Sequence, residues 1–304
     1  MNKNIPFSVP NFRENDYQQV IDSLNSGWLA HGPFSKKFED EFSKFISVKH
    51  SISVNSCTAA LHLGMKAIGV NEDDEVIVPA MTHAATAHSA EYCNARVKFA
   101  DCNLNNGNVT LENIKPLISK QTKVIVIVHM AGMPCDVQNI SNFCKENKIY
   151  LIEDCAHSIG TFLENKHVGT FGDLGAFSFY PTKQITTGEG GMLVTNNDYI
   201  ASFSSKERGF GIDTRPEERV VPGLYNINTL GYNYRLTDFQ SALGLGQLLR
   251  YNEALEIRKL NANHYKNLID QSNSDKIKAP KFSSGSSHFL FQTIIKEEFR
   301  NSSS

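Results

Sequence analysis

This sequence of 304 residues has no surplus of charge of one sign, only one tryptophan and no long apolar run. Its 30 Lys and Arg residues are balanced by 32 Asp and Glu residues, so the net charge of −2 gives no overall attraction to nucleic acid or to an anionic membrane. The longest unbroken aliphatic run, Val124–Val128, is too short to span a bilayer. The N-terminal residues lack the apolar core of a signal peptide. We therefore expect a cytoplasmic protein.

Sequence motifs of several common sites are missing as well. Six cysteines are present without any CxxC pair, which excludes a zinc ribbon or a thioredoxin-like site, and we expect free thiols. Neither GxGxxG nor GxxxxGKS/T occurs, so the glycine-rich signatures of Rossmann and P-loop nucleotide sites are absent. His83 and His88 lack the glutamate of an HExxH motif, which favours a helix-start role for His83 over a metal site.

The first 200 residues alternate between short apolar runs and amphipathic stretches of helical spacing. The run Lys123–Val128 is almost continuously apolar, which is typical of a parallel strand covered by helices on both faces. This alternation predicts an α/β fold with a mostly parallel sheet. The runs that we expect to form strands are Ser51–Asn55, Glu75–Pro79, Arg96–Ala100, Lys123–Val128, Tyr150–Glu153, Ala176–Phe179 and Met192–Thr195.

The pattern changes towards the C-terminus. Thr237 and Gln240 form a capping box, after which a long helical stretch runs to about Asp270. A strand-like run follows at His288–Ile295. We predict a large domain over residues 1–246 and a smaller C-terminal domain over residues 247–304.

Polar residues that follow the predicted strands are the candidates for a site, because ligands of open α/β sheets lie beyond the carboxyl ends of the strands. The turn Asn55–Thr58 leads from a strand into a helix and offers free backbone N–H groups and a helix dipole to an anion. Simple capping of the helix by Ser56 or Thr58 remains the alternative.

Asp154 and Lys183 each follow an apolar strand, and each allows two interpretations. Asp154 either pairs with a charged ring nitrogen or caps the next helix, and its position fits both roles. Lys183, which follows a strand closely, becomes a nucleophilic neutral amine if it is buried. Most lysines are instead exposed, so taken alone this residue favours an ordinary loop lysine.

Taken together and in chain order, these features match the layout of a pyridoxal phosphate (PLP) site. The sequence resembles the fold-type I PLP enzymes and, within them, the sugar-nucleotide aminotransferases of the DegT/DnrJ type. The resemblance covers nearly the whole chain, and its most specific blocks are EDCAH and SFYPTKQITTGEGG. It implies a large domain with a mostly parallel sheet covered by helices, followed by a smaller C-terminal domain. Because members of the family continue beyond the point where this sequence ends, we expect that smaller domain to be incomplete.

The resemblance also implies a role for each candidate residue. Lys183 matches the lysine that forms a Schiff base with PLP, and Asp154 matches the partner of the pyridine nitrogen. The residues matched to the phosphate site are Ser56, Cys57, Thr58 and Ser178. Backbone N–H groups matter more than side chains in the first three of these.

Three further positions are less typical of the family or depend on a second subunit. His83 occupies the ring-stacking position, which is usually aromatic, and His157 fills a place often held by Gln near the O3′ side of the pyridine ring. Asn233 matches an asparagine that reaches the phosphate from the partner subunit, which implies a homodimer.

The activity implied by the resemblance is transfer of an amino group, with L-glutamate as donor, to a nucleotide-linked keto sugar in surface polysaccharide or related sugar biosynthesis. One alternative is a PLP-dependent sugar dehydratase of the same family, although those enzymes typically have His where this chain has Lys183. A second alternative is a PLP-binding family member without turnover. An α/β binding module without any cofactor is a remote third.

Overall fold

The computed structural model describes residues 4, 6–213, 220–221, 223–272, 274, 276–295 and 297–299. Its helices are α1 (Glu14–Asn25), α2 (Pro33–Ile46), α3 (Cys57–Ala67), α4 (Ala84–Glu91), α5 (Leu111–Ile114), α6 (Val137–Asn147), α7 (Asp198–Glu207), α8 (Asp238–Leu249) and α9 (Tyr251–Gln271). Its strands are β1 (His50–Val54), β2 (Glu75–Pro79), β3 (Arg96–Ala100), β4 (Thr122–Val128), β5 (Tyr150–Asp154), β6 (Phe162–Leu163), β7 (Lys166–His167), β8 (Leu174–Ser178), β9 (Gly191–Thr195), β10 (Ile277–Lys278) and β11 (Ile294–Ile295). None of the helices in this described part is both long and apolar enough to cross a membrane.

Seven strands form one sheet in the order β1–β9–β8–β5–β4–β2–β3. The strands β8, β5, β4, β2 and β3 are parallel to their neighbours in that order, whereas β9 runs antiparallel to both β1 and β8. The α/β fold with a mostly parallel sheet that the sequence predicts is therefore confirmed. Each of the seven predicted strands is present, with ends that differ by no more than a few residues.

Both faces of the sheet are covered by helices. Alternate residues of a strand point to opposite faces. Val124 and Val126 of β4 pack in the apolar cluster that α3 and α4 complete, whereas Ile125 and Ile127 pack in the cluster that α6 completes. A strand that is buried on both faces has to be apolar at every position, which explains the continuous run of Val and Ile.

Two phenylalanines of α2 pack on the end of β8. The ring centroid of Phe42 lies 5.1 Å from that of Phe177, and the ring centroid of Phe38 lies 5.1 Å from that of Phe179. All four side chains are completely buried. This packing holds in place the strand end that carries Ser178 and leads on to Lys183.

The helical stretch predicted from Thr237 to about Asp270 consists of two helices. The capping box of Thr237 and Gln240 is present at the start of α8. Arg250 separates α8 from α9 and has a non-helical backbone, with φ −113° and ψ 9°. Its guanidinium donates to the buried carboxylate of Asp16 at 2.5 Å, so the break between the helices is held by α1.

The strand predicted at His288–Ile295 is wrong for most of its length. Only β11 pairs, antiparallel to β10. The backbone N–H groups of Ser287 and Leu290 instead donate to the carbonyl oxygens of Gly132 and Ala131, in the loop that follows β4. The run has the composition of a strand, but these hydrogen bonds go to a distant loop.

The domain division predicted after residue 246 falls inside α8, which packs on α1 and α2. Tyr251 of α9 is also buried against this core, and its hydroxyl donates to the carbonyl oxygen of Ile159 at 2.7 Å. Beyond Leu255 most side chains of α9 are exposed or half-buried, so we propose that the division follows this residue. Residues 1–3 and 300–304, at the ends of the two predicted domains, lie outside the described residues.

Candidate active site

The predicted site residues meet at one edge of the sheet. Because β1 and β8 are both antiparallel to β9, they run in the same direction as β5, and their carboxyl ends share an edge. Ser56 follows β1, Asp154 ends β5 and Ser178 ends β8. Lys183 lies in the turn after β8, where its N–H donates to the carbonyl oxygen of Tyr180 at 2.9 Å. This is the edge at which α/β sheets bind ligands.

Lys183, Asp154 and Cys57 form one electrostatic cluster. Burial lowers the pKa of the half-buried Lys183 amine from its ordinary value, while the nearby Asp154 carboxylate and Cys57 act in the opposite direction. Burial, together with the charge of Asp154, raises the pKa of the Cys57 thiol, whose Sγ lies 3.9 Å from Asp154 Oδ1. Lys183 is therefore not the solvated loop lysine of the alternative interpretation. A lowered pKa increases the fraction of neutral, nucleophilic amine.

Asp154 combines the two roles that its position allows. Its Oδ1 accepts the backbone N–H of Ala156 at 3.1 Å, which is the local capping contact. Its Oδ2 accepts the hydroxyl of Thr86 at 2.8 Å, and Thr82 Oγ1 lies 2.7 Å from Thr86 Oγ1. The carboxylate is 5% exposed, so these bonds fix its orientation and still leave lone pairs for a ring nitrogen.

Thr86 is a site residue that the sequence alone does not single out. It lies in α4, where its side chain is completely buried, and a threonine within a helix usually signals nothing. The only available signal is its place one turn after His83, in a helix that follows a predicted strand.

The predicted phosphate turn is built from the start of α3 and the start of β9. Ser56 is the N-cap of α3, and its Oγ accepts the N–H of Ala59 at 3.1 Å. A Cβ atom on Gly191 would lie 2.5 Å from the carbonyl carbon of Ser56 and 2.6 Å from the nitrogen of Cys57. Gly191 thus allows the strand to approach the turn, and it also pairs directly with Ser178 on β8. The capping interpretation of Ser56 is correct, and it is compatible with anion binding by the other N–H groups of the first turn.

His83, His157 and Lys183 are close enough for the charges of His83 and Lys183 to act on His157. His83 is the N-cap of α4, and its Nδ1 accepts the N–H of Ala85 at 3.1 Å, as expected for a helix-start residue. Burial lowers the pKa of His157 to about 3, and the charges of Lys183 and His83 act in the same direction. Within the described residues, the buried Nδ1 of His157 has no hydrogen-bond partner. Such an atom is suited to a polar group of a ligand.

Asn233 lies beside the phosphate turn. Its carbonyl oxygen accepts the side-chain amide of Asn55 at 3.4 Å, and Asn55 N–H donates to the carbonyl oxygen of Tyr234 at 2.8 Å. The flanking rings of Tyr232 and Tyr234 stack with centroids 4.9 Å apart. The Asn233 side chain is exposed, so this rigid turn presents it at the surface.

A buried hydrogen-bond network around Glu153 lies on the other side of β5 from Asp154. Both carboxylate oxygens of Glu153 accept hydrogen bonds, from His129 Nε2 at 3.0 Å and from three backbone N–H groups in residues 169–172 at 2.6–2.7 Å. His129 Nδ1 accepts the N–H of Cys135. Cys155 lies nearby, but the lone pairs of the other two groups are already used. The network therefore anchors β4, β5 and this loop and is poorly suited to a metal ion.

Phe289 contributes an aromatic ring that the sequence does not mark as part of the site. Lys183 Nζ lies 5.0 Å from the centroid of this ring. The imidazole of His157 stacks on the same ring, with centroids 4.5 Å apart and planes 27° apart.

Comparison with known proteins identifies the family. Residues 10–304 match the sequence profile of the DegT/DnrJ/EryC1/StrS aminotransferase family. The chain belongs to this family. The GDP-perosamine synthase of Vibrio cholerae is 36% identical over 298 residues, which cover 97% of this chain and 78% of that protein.

Two solved structures extend this family assignment. Helicobacter pylori PseC, an aminotransferase involved in the biosynthesis of pseudoaminic acid, has a TM-score of 0.90 at 29% identity, over 98% of this chain and 79% of that one. The E. coli GDP-4-keto-6-deoxy-D-mannose-3-dehydratase with bound hydrated PLP has a TM-score of 0.86 at 27% identity, over 97% and 79% of the two chains.

This member of the family is a PLP-dependent sugar aminotransferase. The activity and the cofactor expected from the sequence are therefore confirmed. The described residues also fit the cofactor. Within the described residues, a half-buried amine with a lowered pKa lies beside a buried carboxylate, and an unpartnered imidazole nitrogen of His157 lies close enough to interact with that amine. A helix N-terminus suited to a phosphate completes the arrangement.

Proposed function

We propose that this chain transfers the amino group of L-glutamate to a nucleotide-linked keto sugar, and that Lys183 and Asp154 are its catalytic residues. The observation that carries this assignment is the position of the Lys183 amine, which is half-buried and close to the Asp154 carboxylate at the edge of the sheet. When bound, PLP supplies an electron sink for the carbanion that forms on the amino donor.

Lys183 acts as the base and acid of the reaction. Burial increases the neutral fraction of its amine, so Nζ can take the proton from the α-carbon of the amino donor. Lys183, which then carries this proton as an ammonium group, returns a proton later in the reaction. Asp154 keeps a positive charge on the adjacent ring nitrogen, and Thr86 holds the carboxylate in the orientation that this requires.

The remaining predicted residues hold the cofactor in place. The N–H groups at Cys57 and Thr58 face an anion at the start of α3, and Ser178 contributes a hydroxyl from the adjacent strand. His83 would supply the imidazole that contacts the cofactor ring. His157 is neutral because of its low pKa, so its unpartnered Nδ1 can hydrogen-bond to a ring substituent.

We propose GDP-4-keto-6-deoxy-D-mannose as the first substrate to test. The support is the similarity to a GDP-perosamine synthase and to a dehydratase named for this sugar nucleotide. Purified protein should be loaded with PLP and incubated with L-glutamate and this compound, with UDP- and dTDP-linked keto sugars in parallel. Formation of 2-oxoglutarate together with an amino sugar is the expected result.

The same assay separates the two alternatives. A product that has lost a hydroxyl and gained no amino group would identify a dehydratase. The presence of Lys183, in place of the His expected for dehydratases, supports amino transfer instead. PLP that becomes fixed to Lys183 by borohydride, without turnover of any sugar in the panel, would support a binding protein.

A homodimer in which Asn233 completes the phosphate site of the partner subunit is a further part of the proposal. The exposed side chain of Asn233 and its rigid turn support this role. The backbone of Asn233 also lies next to its own Asn55, so action within one subunit is the competing arrangement.

Hybrid dimers distinguish the two arrangements of Asn233. Lys183→Ala subunits are mixed with Asn233→Ala subunits, and activity is measured after exchange. If Asn233 acts across the interface, each hybrid regains one site with both native residues. If it acts within its own subunit, no hybrid contains a native site and activity does not return.

A cytoplasmic location is also proposed rather than established. All six cysteines are free, and four of them are buried. Persistent free thiols are typical of a reducing compartment. Cell fractionation with an antibody to this protein tests the location, and recovery outside the cytoplasmic fraction would contradict it.

A further inference from the structure

The stretch of residues 285–290, named here the Phe289 segment, crosses beside Lys183 and is held by loops of the large domain. Its Gly285 carbonyl oxygen accepts the N–H of Phe162 at 2.8 Å. Further along, Ser287 N–H donates to the carbonyl oxygen of Gly132 at 3.0 Å. Segments bonded at several points in this way have a defined position.

The hydroxyl of Ser287 links the segment to the turn that carries Lys183. Ser287 Oγ accepts the side-chain amide of Gln184 at 3.1 Å and lies 2.8 Å from Thr161 Oγ1. Ser286 and Ser287 are completely buried. Because Gln184 is the neighbour of Lys183 in the chain, the position of the segment is tied directly to that of the reactive amine.

The backbone conformations of the Gly132 loop and of the Phe289 segment allow the two to approach closely. Gly132 has φ +84°, and a Cβ atom there would lie 2.5 Å from Ser287 Oγ and 2.9 Å from the nitrogen of Phe289. His288 has φ 50°, in the left-handed region that is uncommon for residues other than glycine. Unfavourable backbone conformations of this kind concentrate at functional sites. The bend at His288 immediately precedes the ring that lies over Lys183.

Phe289 provides an apolar surface within reach of the reacting groups. Its ring lies 5.0 Å from Lys183 Nζ and stacks on His157. The side chain is only half-buried, so part of its surface is open to a ligand. The C–H groups of a sugar pack well on such a ring, whereas a hydroxyl pointed at it would lose its hydrogen bonds to water without replacement.

We propose that Phe289 is a specificity residue that forms the apolar wall of the sugar site, against which a deoxygenated carbon of the keto sugar lies while its carbonyl carbon faces Lys183. This inference rests on the proposed function, which requires that a keto sugar reach Lys183. The other cofactor residues lie at the sheet edge, so we expect loss of the Phe289 ring to affect the choice of sugar more than the reaction with the amino donor.

Phe291 provides a matched control from the same stretch of chain. Its ring packs against Tyr265 and Phe282, with centroids 5.4 Å and 5.6 Å away. Phe291→Leu therefore removes an aromatic ring close to Phe289 in sequence, but one that packs on Tyr265 and Phe282. Phe289→Leu keeps an apolar side chain, and Phe289→Ala removes the wall.

The first experiment measures binding without turnover. Cofactor-free wild type, Phe289→Ala, Phe289→Leu and Phe291→Leu are titrated calorimetrically with GDP, GDP-mannose and GDP-4-keto-6-deoxy-D-mannose. Wild type should bind the deoxy sugar nucleotide more tightly than the other two. In Phe289→Ala this preference should fall by roughly tenfold, with less loss in Phe289→Leu, while affinity for GDP is unchanged. Phe291→Leu should behave as wild type.

The second experiment separates the two half-reactions of the PLP-loaded enzyme. For Phe289→Ala, we expect the KM for the keto sugar to rise by a larger factor than the rate with L-glutamate falls, whereas Phe291→Leu should leave both half-reactions as in wild type. Equal sugar preference in wild type and Phe289→Ala, or an equal loss of affinity for GDP, would overturn the inference while leaving the proposed function intact. A wild-type protein that neither binds nor converts any nucleotide-linked sugar would overturn both.

Discussion

The sheet edge around Lys183 and the chain from α9 onward differ sharply in how much side-chain surface they bury. Every residue of β8 and β9 is buried. In the 21 residues of α9, by contrast, only Tyr251, Leu255 and Ala262 are buried. The cofactor residues therefore stand on the rigid part of the molecule, as precise chemistry requires. The proposed sugar wall at Phe289 comes from the part with fewer buried contacts.

This difference suggests a division of labour between the two regions. Handling of the amino group is assigned to the buried edge, where Asp154 and Thr86 are fixed by hydrogen bonds. Choice of sugar is assigned to a segment that is anchored to that edge but belongs to the later part of the chain. The predictions below test whether the two regions separate in this way.

The largest effect is expected for Lys183→Ala. Without the amine there is no group to move the proton, so turnover should fall by about 10⁴-fold or more, while the protein remains folded. The measurement is formation of 2-oxoglutarate over an extended assay, with circular dichroism as the test of folding. Lys37→Ala, at an exposed position on α2, serves as the control and should keep full activity.

Asp154→Asn should retain some PLP but lose about 10³-fold in rate. The amide oxygen can still accept the N–H of Ala156, and the amide nitrogen can donate to the hydroxyl oxygen of Thr86, but the side chain carries no charge to stabilise a positive ring nitrogen. Single-turnover kinetics with L-glutamate measure the effect, with the exposed helix-cap variant Asp136→Asn as a control. A near-normal rate would reduce Asp154 to a capping residue.

Thr86→Val should lower the rate by roughly tenfold, because it removes one hydrogen bond to a charged carboxylate and keeps the shape of the side chain. Thr86→Ser restores the hydroxyl and should recover most of the activity. The ratio of the Thr86→Ser rate to the Thr86→Val rate measures the contribution of the hydroxyl. Equal rates would show that Thr86 only packs in α4.

The titration of Lys183 offers a test that needs neither PLP nor substrate. Only the neutral amine reacts with an acylating reagent, so labelling rises as the pH passes the pKa. Because burial lowers the pKa of Lys183, its labelling midpoint should lie below the ordinary value of a lysine. Asp154→Asn should shift it lower still, since the carboxylate favours the charged amine. Peptide mass spectrometry measures the midpoints of wild type and Asp154→Asn, and a wild-type midpoint at the ordinary value of a lysine would contradict the proposed burial.

The smallest effect is expected for Leu260→Ser on α9, where the side chain is 68% exposed. The free energy of unfolding should change by less than about 0.5 kcal/mol. Leu193→Ala on β9, at a completely buried position, should cost about 2–5 kcal/mol in the same denaturation assay. Similar losses of unfolding free energy in the two variants would contradict the difference in burial between the two regions.

Much of the fold and the positions of the proposed catalytic pair could be predicted from the sequence, because the signals for them are local. A strand that is buried on both faces must be apolar throughout, as in Val124–Val128, and its end marks the site edge. Asp154 ends such a strand and Lys183 follows another, within strongly patterned motifs. Residue type, spacing and position in the chain therefore all indicated the same candidate site.

The residues that could not be predicted depend on contacts between distant parts of the chain. Thr86 acts through a hydrogen bond to Asp154, which no periodicity in α4 reveals. Phe289 lies in a run with strand-like composition, but its neighbours bond to the loop at Gly132. Glu153 is adjacent to Asp154 but faces a different network, centred on His129. Only the folded arrangement shows these pairings.

The antiparallel strand β9 has a consequence for the order in which the molecule assembles. It lies between β1, the first strand of the chain, and β8, so the phosphate turn reaches the Lys183 region only when β9 is in place. Such pairing between segments far apart in sequence is slow, because the intervening chain must be ordered first. We therefore expect the cofactor pocket to be completed late in folding. A ligand that binds only this finished pocket draws the folding equilibrium towards the native state, so supply of the vitamin-derived cofactor would also govern how much folded protein accumulates.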